Sequence, residues 1–221
     1  MKPYYSDSLV TIYHGDCREI LPTACPSPGL LLMDPPYGIG WRGSHYRNPS
    51  KATTILHDED TAVRDAILAM YPEVPALVFG SFRAAIPVGV REVLAWRKAE
   101  YGTGLVGNRL PWLKDWDPIF VLGNWPDQTP SRSGMLASRE RSAAAYSGYI
   151  TRAGHSHAKP VDTLIELLEA SPSGIVLDPC TGSGSVLVAA KFVGRQSIGI
   201  EIEERYCEIA AERCRQEVLA L

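Results

Sequence analysis

Apolar residues in this chain gather into short blocks, and the stretches between several of them carry helical spacing. The run "GLLLMD" (29–34) is apolar without alternation until its final carboxylate, which is consistent with a strand buried on both faces. "GIVLD" (174–178) has the same character. "LVTIYHGD" (9–16) reads as a strand ending at Gly15 and Asp16, and "ALVFG", "EVLAW", "PIFVLG" and "SIGIE" read as four more. Four segments have helical spacing: 60–71 with Asp60 as N-cap, 161–170, 185–194 closed by Gly194, and 203–220. Alternation of this kind predicts an α/β fold, a mostly parallel seven-stranded sheet with helices on both faces. No internal repeat interrupts it.

Two segments fit neither pattern, 38–58 and 126–156, and both are rich in Ser, Arg, Gly and Asn. Loops of that length inside a compact unit are usually functional. Charge singles out the same places. The chain carries −3 overall, but 38–57 holds Arg42, Arg47 and Lys51 with no acid, and 129–160 holds Arg132, Arg139, Arg141, Arg152 and Lys159 against Glu140. Those segments sum to +3 and +4, leaving −10 for the remainder. Two basic stretches on an acidic body form a candidate footprint for a polyanion; a pair of solvated loops would be the plainer explanation.

At 221 residues and 45% hydrophobic composition, the chain is expected to form one domain over 1–221 with a sizeable core. No apolar run reaches the length of a membrane span and the start has no signal-peptide pattern. Five cysteines without C-x-x-C or His/Cys spacing read as reduced thiols of a cytoplasmic protein, with no metal.

The chemistry concentrates in two stretches. In "MDPPYG", a buried strand runs into Asp34, and Pro35 and Pro36 remove two N–H donors. A residue before proline favours extended geometry, so Asp34 still finishes the strand. The result is an anion, rigid carbonyl acceptors and the aromatic face of Tyr37 within a few residues. In "VLDPCTGSGSVLVAA", a strand ends at Asp178 and Pro179, and the turn Thr181–Gly182–Ser183–Gly184–Ser185 leads into a helix. Glycines there let the backbone approach a ligand closely. The next strand ends at Glu201, 19 residues beyond Gly182, where an acid binds the ribose hydroxyls of a nucleotide-type cofactor. Leu187 stands where a dinucleotide fingerprint needs its third glycine, and the opening aspartate suits a cation better than a pyrophosphate. S-adenosyl-L-methionine (AdoMet), with a ribose, an ammonium, a sulfonium and no phosphate, fits that set. A strand–helix corner packed with small residues would account for the motif without any ligand.

Together with "YHGDCREIL", "HSHAKPVDTLIELL" and "GRQSIGIEIEERYCEIAAERC", these motifs resemble the amino-methylating DNA methyltransferases. The narrower likeness is to their β group, in which the catalytic motif precedes the cofactor motif. The resemblance implies a Rossmann-like AdoMet-dependent methyltransferase fold with permuted motif order, and methyl transfer to adenine N6 in double-stranded DNA after base flipping. Asp34, Pro35, Pro36 and Tyr37 would be the catalytic motif, with Tyr37 stacking on the flipped base. Asp178, Pro179, Thr181, Gly182, Ser183, Gly184 and Ser185 would surround the methionine end of AdoMet, and Glu201 its ribose. Asp16, beside Cys17, would accept from the adenine amino group, and Lys159 would lie near the cofactor carboxylate. DNA contacts would come from Arg42, Arg47, Lys51, Arg132, Arg139, Arg141 and Arg152. A homodimer and a cognate restriction endonuclease are the partners such a setting allows. Cys180 replaces a usual phenylalanine and Ser185 a usual threonine, both bearing on cofactor affinity.

Adenine N6 is preferred over cytosine N4 because N4 enzymes mostly open the motif with serine. Two further functions fit the sequence less well. An RNA guanine-N2 methyltransferase would usually place its cofactor motif first, and a catalytically silent DNA-binding module would have no use for the intact catalytic set. His155 and His157 read as structural, Trp96 as core, and Trp112, Trp116 and Trp125 as candidates for a stacking surface or for further core.

Overall fold

The computed structural model describes residues 1–41, 55–97, 115–127, 132–137 and 158–216. One mixed sheet runs through them in the order β1-β2-β9-β8-β3-β4-β6-β5-β7. The seven strands expected from the sequence are all present: β2 (Val10–His14), β3 (Leu30–Met33), β4 (Ala76–Phe79), β5 (Glu92–Arg97), β6 (Trp116–Leu122), β8 (Val176–Asp178) and β9 (Ser197–Glu201). Two short additions extend the edges, β1 (Tyr5–Ser6) antiparallel to β2 and β7 (Met135–Ala137) parallel to β5. The sheet is therefore wider than seven strands. From β2 to β4 it is parallel, and β6 runs antiparallel between β4 and β5.

Every residue of β3, β4 and β8 is buried, because helices cover both faces; this is why those strands read as unbroken apolar runs. Helices α1 (Cys17–Ala24) and α2 (Ala62–Met70) pack Ile20, Leu21, Val63 and Ile67 onto one face, against Leu31, Met33 and Val78. On the other, α3 (Val161–Glu169) and α4 (Ser185–Phe192) set Leu164, Leu168, Val186 and Ala190 against Leu30, Leu32 and Phe79. The last helix, α5 (Glu204–Arg215), packs Cys207, Ala210 and Cys214 with Val10 and Ile12.

Helix α1 is an addition to the four helical segments read from the sequence, and Pro22 lies inside it. It forms because Asp16 caps it, the carboxylate accepting the Arg18 N–H at 2.9 Å. Helix α2 begins one residue later than its expected cap, with Thr61 in that place, while Asp60 still accepts the Ala62 N–H at 2.8 Å. Gly194 lies just past α4 at φ 69°, the left-handed stop expected of it. Among the described residues, no helix is long and apolar enough to cross a membrane.

Candidate active site

Four carboxylates stand at the carboxyl ends of four neighbouring parallel strands. Asp16 follows β2, Glu201 ends β9, Asp178 ends β8 and Asp34 follows β3. The decisive adjacency is β3 with β8, which pair in parallel through Leu30 with Val176 and Leu31 with Leu177. Strands in a sheet lie about 4.8 Å apart, so the "DPPY" corner and the glycine corner are neighbours on one edge. Ligands in open α/β sheets bind at such carboxyl ends, where chain connections diverge.

The glycine corner is tied down by backbone bonds. Thr181 donates its hydroxyl to the Asp178 carbonyl at 2.9 Å and its N–H to the Ile200 carbonyl at 3.0 Å. Glu201 accepts the Gly182 N–H at 2.7 Å and the Glu203 N–H at 2.8 Å, so the acid expected at the ribose also braces the turn. Gly184 sits at φ 81°, and a Cβ there would come within 2.8 Å of the Ala210 Cβ; only glycine allows α5 to approach so closely. From α5, Arg213 donates to the Ser183 carbonyl at 2.6 Å, to the Ser183 hydroxyl at 3.0 Å and to the Ser185 hydroxyl at 3.2 Å. Asp178 accepts the Cys180 N–H at 3.2 Å.

Burial shapes the electrostatics of this edge. Desolvation lifts the Asp178 carboxyl well above its ordinary range, the Cys180 N–H works against that, and the nearby Asp34 and Glu201 anions add to it. Glu201 is raised for the same first reason, with its backbone hydrogen bonds opposing. Asp16 is lowered, chiefly by Arg18, whose guanidinium lies 2.5 Å away. Cys17 and Cys180 share a hydrogen bond that lowers the first thiol and raises the second.

At the other corner, Asp34 is held by side chains. The Tyr37 hydroxyl donates to Oδ1 at 2.7 Å and the Lys159 ammonium to Oδ2. Burial, and then the Asp34 charge, raise the Tyr37 phenol well above its usual value. Lys159, expected near a cofactor carboxylate, lies on the Asp34 carboxylate, with the rings of Tyr37, Phe79 and Trp96 at 5.8, 5.2 and 5.9 Å from its nitrogen.

Sequence reasoning missed Asp58. It is 2% exposed and accepts the Gly38 N–H at 2.8 Å and the Trp41 N–H at 2.6 Å, while its carbonyl accepts the Gly40 N–H at 2.6 Å. An aspartate in the acidic run "HDED" carries no pattern that distinguishes it. Arg132 does not join the cluster. It lies 3.8 Å from Glu169, the last residue of α3, whereas Lys159 precedes the first turn of that helix. A nine-residue helix is about 13 Å long, which sets Arg132 towards the opposite edge. A cavity of about 210 Å³ lies there too, between α3 and β5 to β7, lined by Leu94, Val121, Trp125 and Leu136. Arg42, Arg47, Lys51, Arg139, Arg141, Arg152, Trp112, His155 and His157 lie outside the described residues.

The chain resembles known proteins in both sequence and fold. The family model described as "DNA methylase" (N6_N4_Mtase) matches residues 107–212. The putative methylase YubD of Escherichia coli (strain K12) is 31% identical over 211 residues, covering 90% of this chain and 87% of that protein. The fold superimposes on the M1.HpyAVI–SAM complex with a TM-score of 0.64 at 19% identity, over 94% of this chain and all of that one. It superimposes on the PvuII DNA methyltransferase (cytosine-N4-specific) with a TM-score of 0.69 at 15% identity, over 99% and 91% of the two chains.

Proposed function

The chain belongs to the amino-methylating DNA methyltransferases, and from that premise we propose that its acceptor is the exocyclic N6 amino group of adenine. AdoMet is the methyl donor. The glycine corner suits it: a turn without side-chain bulk, bordered by carboxylates that complement an ammonium, a sulfonium and ribose hydroxyls. In this reading Asp178, Pro179, Thr181, Gly182, Ser183, Gly184 and Ser185 hold its methionine end, Glu201 the ribose, and Asp16 with Cys17 the adenine. Bound there, the cofactor supplies an electrophilic methyl group.

The observation that carries the reading is the side-by-side placement of Asp34 and the glycine corner on paired parallel strands. An exocyclic amino group is a poor nucleophile because its lone pair is conjugated with the ring. Asp34 and the Pro35 carbonyl each accept one of its hydrogens, which favours a tetrahedral nitrogen with its lone pair aimed across the cleft. Preorganised acceptors of this kind typically contribute about 10²–10³-fold to rate. The Asp34 carboxylate also offsets the positive charge that develops on nitrogen. The Lys159 ammonium on Asp34 supports the assignment, since the carboxylate already holds one N–H donor at the spot the base would take. The substrate amino group replaces it. The Tyr37 ring borders the same spot and stacks on the flipped base.

We place the reaction in the cytoplasm of a bacterial or phage-infected cell, on double-stranded DNA, with a homodimer and a cognate restriction endonuclease as its setting. Residues 38–58 and 126–156 serve as target-recognition segments of a single domain. The test is incubation with labelled AdoMet and plasmid DNA, total RNA or no nucleic acid, followed by digestion to nucleosides. Label in N6-methyldeoxyadenosine is the expected result. Label in N4-methyldeoxycytidine would overturn the choice of acceptor, and label confined to RNA would overturn the substrate.

A further inference from the structure

Three aromatics of the sheet are fully covered: Phe79, Phe120 and Trp96 are at most 4% exposed. Phe82 and Trp116 break that pattern, at 55% and 42% exposed. Phe82 lies just beyond the carboxyl end of β4, the strand next to β3 and Asp34. Trp116 opens β6, which is antiparallel to β4 with Phe79 opposite Ile119, so Trp116 projects three residues past that pair at the same edge. The two rings meet edge to face, with centroids 5.4 Å apart and planes at 76°. Phe82 also meets the buried Phe120 ring at 6.3 Å and 88°, which anchors the pair in the core.

We propose that Phe82 and Trp116 form a stacking platform for the bases of the DNA strand beside the flipped nucleotide. The inference rests on the DNA-methylating reading of the adjacent site. Taking a base out of the duplex leaves its neighbours with unstacked faces, and a fixed aromatic edge next to the catalytic motif is placed to cover one. Stacking tolerates any sequence, because every base has a π-face. Arg83, exposed beside Phe82, offers a cation to a phosphate, while Arg97, the cross-strand partner of Trp116, is paired with Asp115 at 3.3 Å and Asp117 follows Trp116. Exposed Ile86 and Val88 extend the apolar surface along the same loop.

The experiment is binding of the full chain to a mixed-sequence single-stranded 30-mer, titrated with wild type, Phe82→Leu, Trp116→Leu and Trp116→Phe. Each leucine variant should weaken binding about tenfold, the range found when stacking aromatics are removed elsewhere, while Trp116→Phe stays within about twofold. Thermal midpoints and AdoMet affinity should be unchanged in all three, because leucine at position 82 keeps an apolar contact with Phe120 and Trp116 is 42% exposed. Leucine variants that bind like wild type, or a wild type that does not bind the 30-mer, would overturn the platform. So would leucine variants that lose only self-association in sedimentation, which would make the patch a contact with a second copy. Transfer of label from AdoMet to plasmid DNA by wild type is read in parallel. Its failure would count against the proposed reaction, separately from the binding result.

Discussion

The two halves of the candidate site are built on different principles. On the glycine side, Asp178 and Glu201 are held by the main-chain N–H groups of Cys180, Gly182 and Glu203, and Asp16 by the Arg18 N–H together with its guanidinium. Their geometry is therefore settled by the fold itself. At the other corner, the described partners of Asp34 are the Tyr37 phenol and the Lys159 ammonium, both side-chain groups. One half is a mould set largely by main-chain bonds and the other a contact between side chains. That division suits the proposed reaction, in which the cofactor fits a standing shape while the acceptor has to be admitted from a duplex.

The largest effect that would sharpen the contrast is at Asp34. Asp34→Ala should lower methyl transfer by about 10²–10³-fold or more while leaving AdoMet affinity, measured by calorimetry, nearly intact. Equal loss of both would erase the division. Next comes Glu201→Ala, which should weaken AdoMet about tenfold or more and leave kcat at saturating cofactor within a few-fold. The reason is that it removes the proposed ribose acceptor and strands the Gly182 N–H, a loss of about 1–3 kcal/mol.

A smaller effect concerns what the mould costs in stability. Asp178 is 2% exposed, and its carboxyl is raised well above the ordinary 3.8, first by burial and then by the neighbouring anions against the Cys180 N–H. A raised carboxyl contributes stability that is complete below the unfolded value and is lost as pH climbs through the folded one. Asp178→Asn removes that loss. Its melting temperature should fall less than that of wild type as pH rises above 3.8, by about 2–4 °C for each kcal/mol relieved, while AdoMet binding weakens. Identical slopes would show that the buried acid carries no such penalty.

Smallest is a control away from the edge. Burial opposes ionisation of Asp7, but Lys191, the Leu9 and Val10 N–H groups and the Tyr5 hydroxyl outweigh it and hold the carboxyl at about 2. Its stabilisation is present above the unfolded value of 3.8 and disappears as pH falls towards 2. Asp7→Asn should cost about 1 kcal/mol in denaturant titrations at neutral pH, with the difference closing in acid and no change in kcat.

Much of this architecture is legible along the chain because double burial leaves a plain mark. Strands such as β3 and β8, covered on both faces, must be apolar throughout, and the acids that end them stand out by contrast. Helix α1 escapes because Pro22 argues locally against a helix that its Asp16 cap and tertiary packing sustain. Strand β7 escapes because three residues with one buried side chain leave no period to detect. Lys159 is found by its motif but not by its contact, since the partner on Asp34 lies 125 positions away in the chain. The use of Asp58 as a clasp is equally non-local, joining Gly38 and Trp41 across 20 and 17 positions.

That clasp has an evolutionary corollary. By gripping the chain on both sides of the stretch that follows the reactive corner, Asp58 insulates the corner from whatever sequence is spliced in between. If residues 38–58 contact the target as proposed, the stretch between Trp41 and Asp58 can differ in length or sequence between relatives without shifting the backbone that Asp58 holds at Gly38, Gly40 and Trp41.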